Sequence, residues 1–292
     1  MSFSPGISQG DIISNQELCN IFGCSPQGGM RRSHATNTLV IISNHVESLY
    51  EDRWIDNTLH YTGMGRTGDQ VLQGNQNITL YESRTNGVGV HLFEVYRDKE
   101  YIYTGPVELA DEPYQEIQLD EQLQSRLVWM FPLRLKSGYV PLQIDIELLE
   151  NKVREQEKRT RRLSDEEIRQ RALEASNRQS RNRRQVNKRP SIRTKYDRNT
   201  YVAEYAKRWA NGICQLKDHP APFNDRKGQP FLESHHIEWL SRGGADSITN
   251  TVALCPNCHT EMHERDRKSD VERLKRKVQE HLESIDYNAS IE

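Results

Sequence analysis

No run of about 18 apolar residues occurs anywhere in the 292-residue chain, so it contains no segment able to cross a membrane as a helix. The first residues, MSFSPGISQGDII, lack the basic and apolar regions of a secretory signal, and a cytoplasmic protein is expected. Cysteine is scarce: five residues, unevenly placed, are too few for a disulfide framework. Cys19 and Cys24 read as two reduced thiols, whereas Cys214, Cys255 and Cys258 cluster late in the chain. Charge of one sign is also missing. The net charge is −2, which excludes any global attraction to a polyanion. Local charge is another matter. Acidic residues gather at 109–121, 142–150 and the C-terminal tail, and basic residues gather between 152 and 209. No internal repeat is present.

What is there suits two domains, each large enough to bury a core. Residues 10–140 read as mostly β. TNTLVIIS (around 37–43), NITLYES (77–83), VGVHLFEVY (88–96), EYIYTG (100–105) and LVWMFPLRL (127–135) are short β-branched and aromatic runs. Arg97-Asp98-Lys99 looks like a hairpin connection, and the strand spacing suggests a barrel or curved sheet. Residues 143–175 turn helical, and Ser164 followed by Glu167 forms a capping box that starts a helix at Asp165. The apolar periodicity of these helices makes them a candidate dimer element. Residues 176–195 are polar and strongly basic, either a solvated linker or an arm that follows a phosphate backbone. A last domain begins near Asn199. There TYVAEYAKRWANG reads as a helix closed by Gly212, followed by a two-strand region, a helix from about Pro256 and a polar helical tail over 268–284.

The chemistry concentrates in FLESHHIEWLSRGGADSITNTVALCPNCHTEMH, residues 231–263. Phosphodiester hydrolysis needs a base to take a proton from water and a divalent metal to neutralise developing charge. His235 and His236 are neighbours on an expected strand, so they point to opposite sides. His259 and His263 are four apart on an expected helix and share one face. The reading is a metal held by His235 and His259, with His263 as an additional ligand, and His236 as the base. Asn250 lies between them, placed to hold the loop that orients the base. Cys255-Pro-Asn-Cys258 has zinc-knuckle spacing and runs directly into His259. The ordered His-His, Asn, His pattern resembles the HNH family over residues 199–265. That resemblance implies His236 as general base, His235 and His259 as catalytic metal ligands, and Asn250 as the residue fixing the base's loop. The family usually supplies four cysteines in two C-x-x-C pairs. Here the partner of Cys214 would fall at Lys217, a poor zinc ligand. Either His219 completes a Cys₃His site, or the zinc site is weakened or lost.

The segment SLYEDRWIDNTLHYTGMGRTGDQ (48–70) carries a second pattern. Two aromatics and a carboxylate are the parts needed to sandwich an extruded cytosine and accept from its exocyclic amine. With QGGMRRSHATNTLVIIS (27–43), a Tyr-x-Asp and YTGMG (61–65), residues 10–135 resemble the SRA family of modified-cytosine readers. The resemblance implies that Tyr50 and Tyr61 stack on the base and that the Thr62 backbone lines the pocket. Asp52, with Asp56 as the alternative, would bond the base's Watson–Crick edge. Arg31, Arg32 and Arg66 are the candidate contacts to the DNA backbone.

The expectation is therefore an α+β protein in three parts: an SRA-like β-barrel over 10–140, a helical and basic linker over 141–198, and a ββα-metal (HNH) nuclease domain with a C-terminal helix over 199–292. Its expected function is a modification-dependent (type IV) restriction endonuclease of the bacterial cytoplasm, reading 5-methyl- or 5-hydroxymethylcytosine in double-stranded DNA. Its expected cofactors are a divalent metal (Mg²⁺, Mn²⁺, Co²⁺ or Ni²⁺) at the active site and a structural Zn²⁺, and a homodimer is expected for double-strand cutting. The rival readings are an HNH endonuclease indifferent to modification and a non-catalytic modified-DNA-binding protein.

Overall fold

A computed structural model describes residues 3–46, 50–182 and 198–289. Most of the basic stretch expected to follow DNA, residues 183–195, lies outside the described residues. The chain divides into two compact units, Met1–Gln156 and Glu157–Glu292. No helix among the described residues is long and apolar enough to cross a membrane.

Among the described residues, the first unit is built on one nine-stranded sheet. Its strands in chain order are β1 (Ile12–Ile13), β2 (Met30–Ser33), β3 (Thr38–Asn44), β4 (Arg53–Ile55), β5 (Thr58–Thr62), β6 (Gly89–Arg97), β7 (Glu100–Leu109), β8 (Tyr114–Leu119) and β9 (Ser125–Leu135). The main path runs β2-β3-β6-β7-β9-β5-β4, with β1 on β7 and β8 on β9. All neighbours are antiparallel except β3 and β6. The sheet is open: β2 and β4 end the path and are not paired with each other, so the expected barrel does not close. The long β9 explains the branching, since it pairs with β5, β7 and β8 along different parts of its length.

Alternation of side chains divides the core in two. Leu39, Ile41, Leu59, Leu92, Phe131 and Leu133 fill one side. Val40, Phe93, Val95 and Tyr103 fill the other, beneath helix α1 (Asn15–Phe22), which contributes Leu18 and Phe22. That helix starts at a Ser14/Glu17 capping box and ends at Gly23 with φ 62°. The hairpin at Arg97-Asp98-Lys99 is present, and Lys99 takes φ 66° in its turn.

One expected strand is a helix. NITLYES, though rich in β-formers, becomes α2 (Gln76–Tyr81). Asn75 caps it by accepting from Asn77 N–H at 2.8 Å. The buried Asn77 amide then bonds the backbone of Met64 and Val71, contacts that a strand would not deliver.

Helix α3 (Ile146–Thr160) follows the sheet, and α4 (Asp165–Asn182) starts at the Ser164/Glu167 box as expected. In the second unit, Ile168, Ala172 and Ala175 of α4 pack against Val202 and Tyr205 of α5 (Thr200–Ala210) and against Ile248. The apolar stripe of α4 is thus covered within the unit. Helix α5 ends at Asn211 and Gly212, both with positive φ. Two short hairpins follow, β10 (Ile213–Cys214) with β11 (His219–Pro220), and β12 (Glu233–His236) with β13 (Thr251–Leu254). Helices α6 (Pro256–Arg265) and α7 (Lys268–Ala289) complete the unit.

Candidate active site and base recess

Strand β12 runs antiparallel to β13, with His235 opposite Val252 and His236 opposite Thr251. Successive residues on a strand face opposite ways. His235 is therefore turned inward, 2% exposed, while His236 faces the opposite side and stays partly accessible. Helix α6 begins at Cys255, whose sulfur accepts from Cys258 N–H, and Pro256 sits at its first turn. One turn apart on this helix, His259 and His263 approach His235, with ring centroids 4.7–5.1 Å apart among the three. Together β12, β13 and α6 make the ββα frame.

The three imidazoles suit a metal ion, with ligand atoms within 4.8 Å of one another. His235 Nε2 is buried and has no hydrogen-bond partner among the described residues. Burial, together with the neighbouring histidines, pushes its pKa down to about 3, so the ring is a neutral lone-pair donor. His259 places Nδ1 2.7 Å from a Glu233 carboxylate oxygen, which keeps its Nε2 for a ligand role, and that Nε2 lies 3.2 Å from His263 Nε2. Three histidines with further positions open are a catalytic rather than a structural donor set.

His236 stands apart from this trio. Its Nε2 lies 2.9 Å from Asp246 Oδ1, and its Nδ1 makes no hydrogen bond among the described residues. Asn250 closes the loop between β12 and β13. Its side-chain oxygen accepts from Glu238 N–H at 2.8 Å, and its amide donates to the carbonyls of Glu238 and Ala245 at 2.9 and 2.8 Å. The Asn250 carbonyl also accepts from Ile237 N–H. The loop leaves no room at Gly244, where a Cβ would collide with Glu238 O and lie 3.0 Å from the Asn250 amide. Gly244→Ala is expected to push Glu238 off Asn250. The cost should be about 2–4 kcal/mol, read from urea melts, with cleavage lost alongside.

The second donor set brings His219, and not Lys217, together with the three late cysteines. Cys214, His219, Cys255 and Cys258 bring their ligand atoms within 4.8 Å of one another. His219 Nε2 is 3.8 Å from both Cys255 and Cys258 sulfurs, and its Nδ1 is directed at Pro220 O. Lys217 points away and pairs with Glu261. Burial and the adjacent thiols drive the Cys258 pKa strongly up. Three packed sulfurs cannot all become thiolates without a cation among them, so this quartet fits a structural metal.

In the first unit, Asp52 Oδ1 accepts from Thr62 N–H at 2.8 Å, which brings two of the expected pocket residues together. Asp52 is set deep among protein atoms, and burial pushes its carboxyl pKa up, yet the residue keeps some accessible surface. Asp56 instead occupies the exposed β4–β5 turn with φ 56°. Tyr50 is half-buried, its hydroxyl donating to Gly65 O at 3.3 Å. Tyr61 points into the core and donates to Gly29 O at 3.0 Å. Sequence reasoning missed Arg126, which is 2% exposed and donates to the same Gly65 carbonyl. Its Nε and one Nη, like Oε1 of the cross-strand Gln118, have no partner among the described residues.

The three arginines expected at DNA differ in their placement. Arg31 is buried, donating to Gly28 O and Asn15 Oδ1. Arg32 holds the β2–β3 turn through Ser33 O, Thr38 O and Asn37 Oδ1. Arg32 thus satisfies carbonyls of the tight hairpin, and Arg31 ties the start of β2 to helix α1. Arg66 is exposed beside Glu121 at 2.6 Å.

Known proteins resemble both units. The model of the SRA domain of ScoMcrA-like proteins matches residues 9–145, and that of the HNH endonuclease family matches residues 213–265. The Type IV methyl-directed restriction enzyme EcoKMcrA of Escherichia coli (strain K12) is 47% identical over 68 residues, 23% of this chain and 24% of that protein. Anaredoxin of Nostoc sp. (strain PCC 7120 / SAG 25.82 / UTEX 2576) is 44% identical over 40 residues, 14% of this chain and 53% of that protein. The solved structure of the Type IV phosphorothioation-dependent restriction endonuclease ScoMcrA shares the fold, at TM-score 0.51 and 20% identity, over 94% of this chain and 64% of its own. This chain thus spans 24% and 64% of those two restriction enzymes.

Proposed function

We propose that this chain, which joins an SRA domain of the ScoMcrA-like kind to an HNH endonuclease domain, is a type IV DNA endonuclease that depends on cytosine modification. The observation that carries the reading is the convergence of His235, His259 and His263 on the ββα frame, with His236 Nδ1 uncommitted on the other face of β12. We assign residues 10–140 to reading, 199–292 to cutting and 141–198 to the connection.

In the reader, Tyr50 offers a stacking face and Asp52 an acceptor for the exocyclic amine of a flipped cytosine. Flipping costs a few kcal/mol. A buried methyl returns only about 0.8 kcal/mol, roughly a fourfold preference, and pocket contacts to a group of that size raise discrimination to at most about 200-fold. EcoKMcrA, matched over 24% of its length, is described as methyl-directed, which is in keeping with a methylated base as the target here. Phosphate contacts supply most of the affinity, which should fall with salt.

In the nuclease, His236 Nδ1 takes a proton from water. The water oxygen bonds to phosphorus as the bond from phosphorus to the leaving oxygen breaks. Asn250 keeps the base's loop in place. His235, His259 and His263 would hold a divalent ion (Mn²⁺, Mg²⁺, Co²⁺ or Ni²⁺), which when bound neutralises charge on the phosphate and the leaving oxygen. We assign Zn²⁺ to Cys214, His219, Cys255 and Cys258. One such site cuts one strand, so double-strand cleavage takes two copies. Sedimentation with and without DNA tests the homodimer, and a monomeric mass in both would remove it.

The deciding experiment incubates matched duplexes, unmodified, 5-methylated and 5-hydroxymethylated, with the full chain and Mg²⁺ or Mn²⁺, beside His236→Ala. Modified DNA should be cut faster than unmodified DNA, by up to about 200-fold, and the substitution should lower the rate by about 10²–10⁴-fold, the usual contribution of a general base. Equal cutting of all three duplexes would discard the reader. Binding of modified DNA without cleavage under any of the four divalent ions would leave only a binding protein.

A further inference from the structure

Asp246 forms a pair that the nuclease reading does not require. Its side chain is buried beside that of His236, and the two are joined at 2.9 Å through Oδ1 and Nε2. The other carboxylate oxygen is also committed: Asn199 N–H donates to Oδ2 at 2.6 Å. Asn199 is itself the cap of α5, its side chain accepting from Tyr201 and Val202 N–H. The carboxylate is thereby held in one orientation by a helix terminus and cannot turn to follow the imidazole.

We propose that Asp246 is a positioning residue that fixes the tautomer of His236. A carboxylate only accepts, so it requires the proton on Nε2 and leaves the Nδ1 lone pair facing outward for water. The inference rests on His236 acting as the base, but its central statement concerns a proton position that can be observed whether or not the protein cuts DNA. Packing alone would make Asp246 a spacer that any residue of the same shape could replace. The Asn199 bond separates the two roles. In Asp246→Asn, the Asn199 N–H still needs an acceptor, so the new side chain keeps its oxygen there and turns its NH₂ toward His236. That NH₂ can donate only to a bare Nε2, and the proton moves to Nδ1, where the lone pair is needed. Asp246→Ala imposes no tautomer and leaves a mixture.

The isosteric substitution should therefore be the more damaging one. Asp246→Asn is expected to lower the single-turnover cleavage rate of modified DNA by about a thousandfold or more, the scale of a wrong-tautomer defect in a His-carboxylate pair. Asp246→Ala should lose at least tenfold less. Modified-DNA binding and zinc content should match the wild type in both. Imidazole ¹H–¹⁵N spectra of the full chain, with His236 assigned by comparison with His236→Gln, should show Nε2–H in the wild type and Nδ1–H in Asp246→Asn. If Asp246→Asn cuts at least as well as Asp246→Ala, or if His236 keeps Nε2–H in Asp246→Asn, the proposal is overturned. A wild type that cuts no DNA would defeat the nuclease reading, and the spectra would still decide the tautomer.

Discussion

Stripping the metal from Cys214, His219, Cys255 and Cys258 is expected to unfold the C-terminal unit. Its elements around the quartet are minimal: a hairpin of two-residue strands, a hairpin of four-residue strands and a ten-residue helix. The three cysteines are themselves members of the local core, with Leu216, Leu232, Val252 and Met262. Structural zinc contributes about 10–16 kcal/mol to the folding of small zinc modules. That equals or exceeds the roughly 5–15 kcal/mol of net stability typical of a whole domain. Cys258→Ser, or a strong chelator, should remove the calorimetric transition of residues 157–292 and abolish cleavage, while modified DNA still binds the first unit. Zn²⁺ should restore the chelated protein. An unchanged melt and rate after chelation would mean that the quartet holds no structural metal.

Asp52→Asn is expected to raise stability and to destroy base reading at the same time. Burial raises the Asp52 carboxyl pKa above its ordinary value in the folded chain. The folded state therefore holds that proton more tightly than the unfolded state. Stability contributed by the protonated form falls as pH rises through the interval between the two pKa values, and it stays low at neutral pH. Asparagine removes the buried charge and can still accept from Thr62 N–H, so the melting temperature at pH 7 should increase. The advantage should shrink as the pH falls from the raised folded pKa toward the unfolded value near 3.8, and stay at its smallest below that. Function moves the other way. With its oxygen bound to Thr62, the asparagine presents NH₂ to the base, and two donors then face each other at the cytosine amine. A bidentate base contact is worth about 1–3 kcal/mol, so affinity for modified DNA should drop about 10–100-fold. Paired thermal melts and binding titrations check this. A variant that binds like the wild type would show that Asp52 does not touch the base.

Much of this was legible in the chain because it depends on short-range spacing. The two sides of a strand separate His235 from His236, and one helical turn joins His259 to His263. The Ser164 box starts its helix wherever the helix later packs. NITLYES marks the limit of such reasoning. Its residues favour a strand, but the Asn75 cap and the buried Asn77 amide select a helix. The open path of the SRA-like sheet was not legible for a related reason, since closure depends on whether the two end strands meet, and β9 branches the sheet.

By itself, then, the sequence determined the order of the two units, the ββα frame and the identities of its histidines and Asn250. It also determined that three late cysteines stand together. Only the tertiary structure decided that His219 rather than Lys217 completes the quartet, that α4 is covered within the chain, and that Arg31 and Arg32 bind backbone carbonyls. It also decided that Asp246 grips His236 while Asn199, 47 residues away along the chain, grips Asp246. Local spacing fixes which face of a strand or helix a side chain leaves from. Which distant donor or acceptor it meets there is decided by loop closure and packing, which leave no periodic trace in the chain.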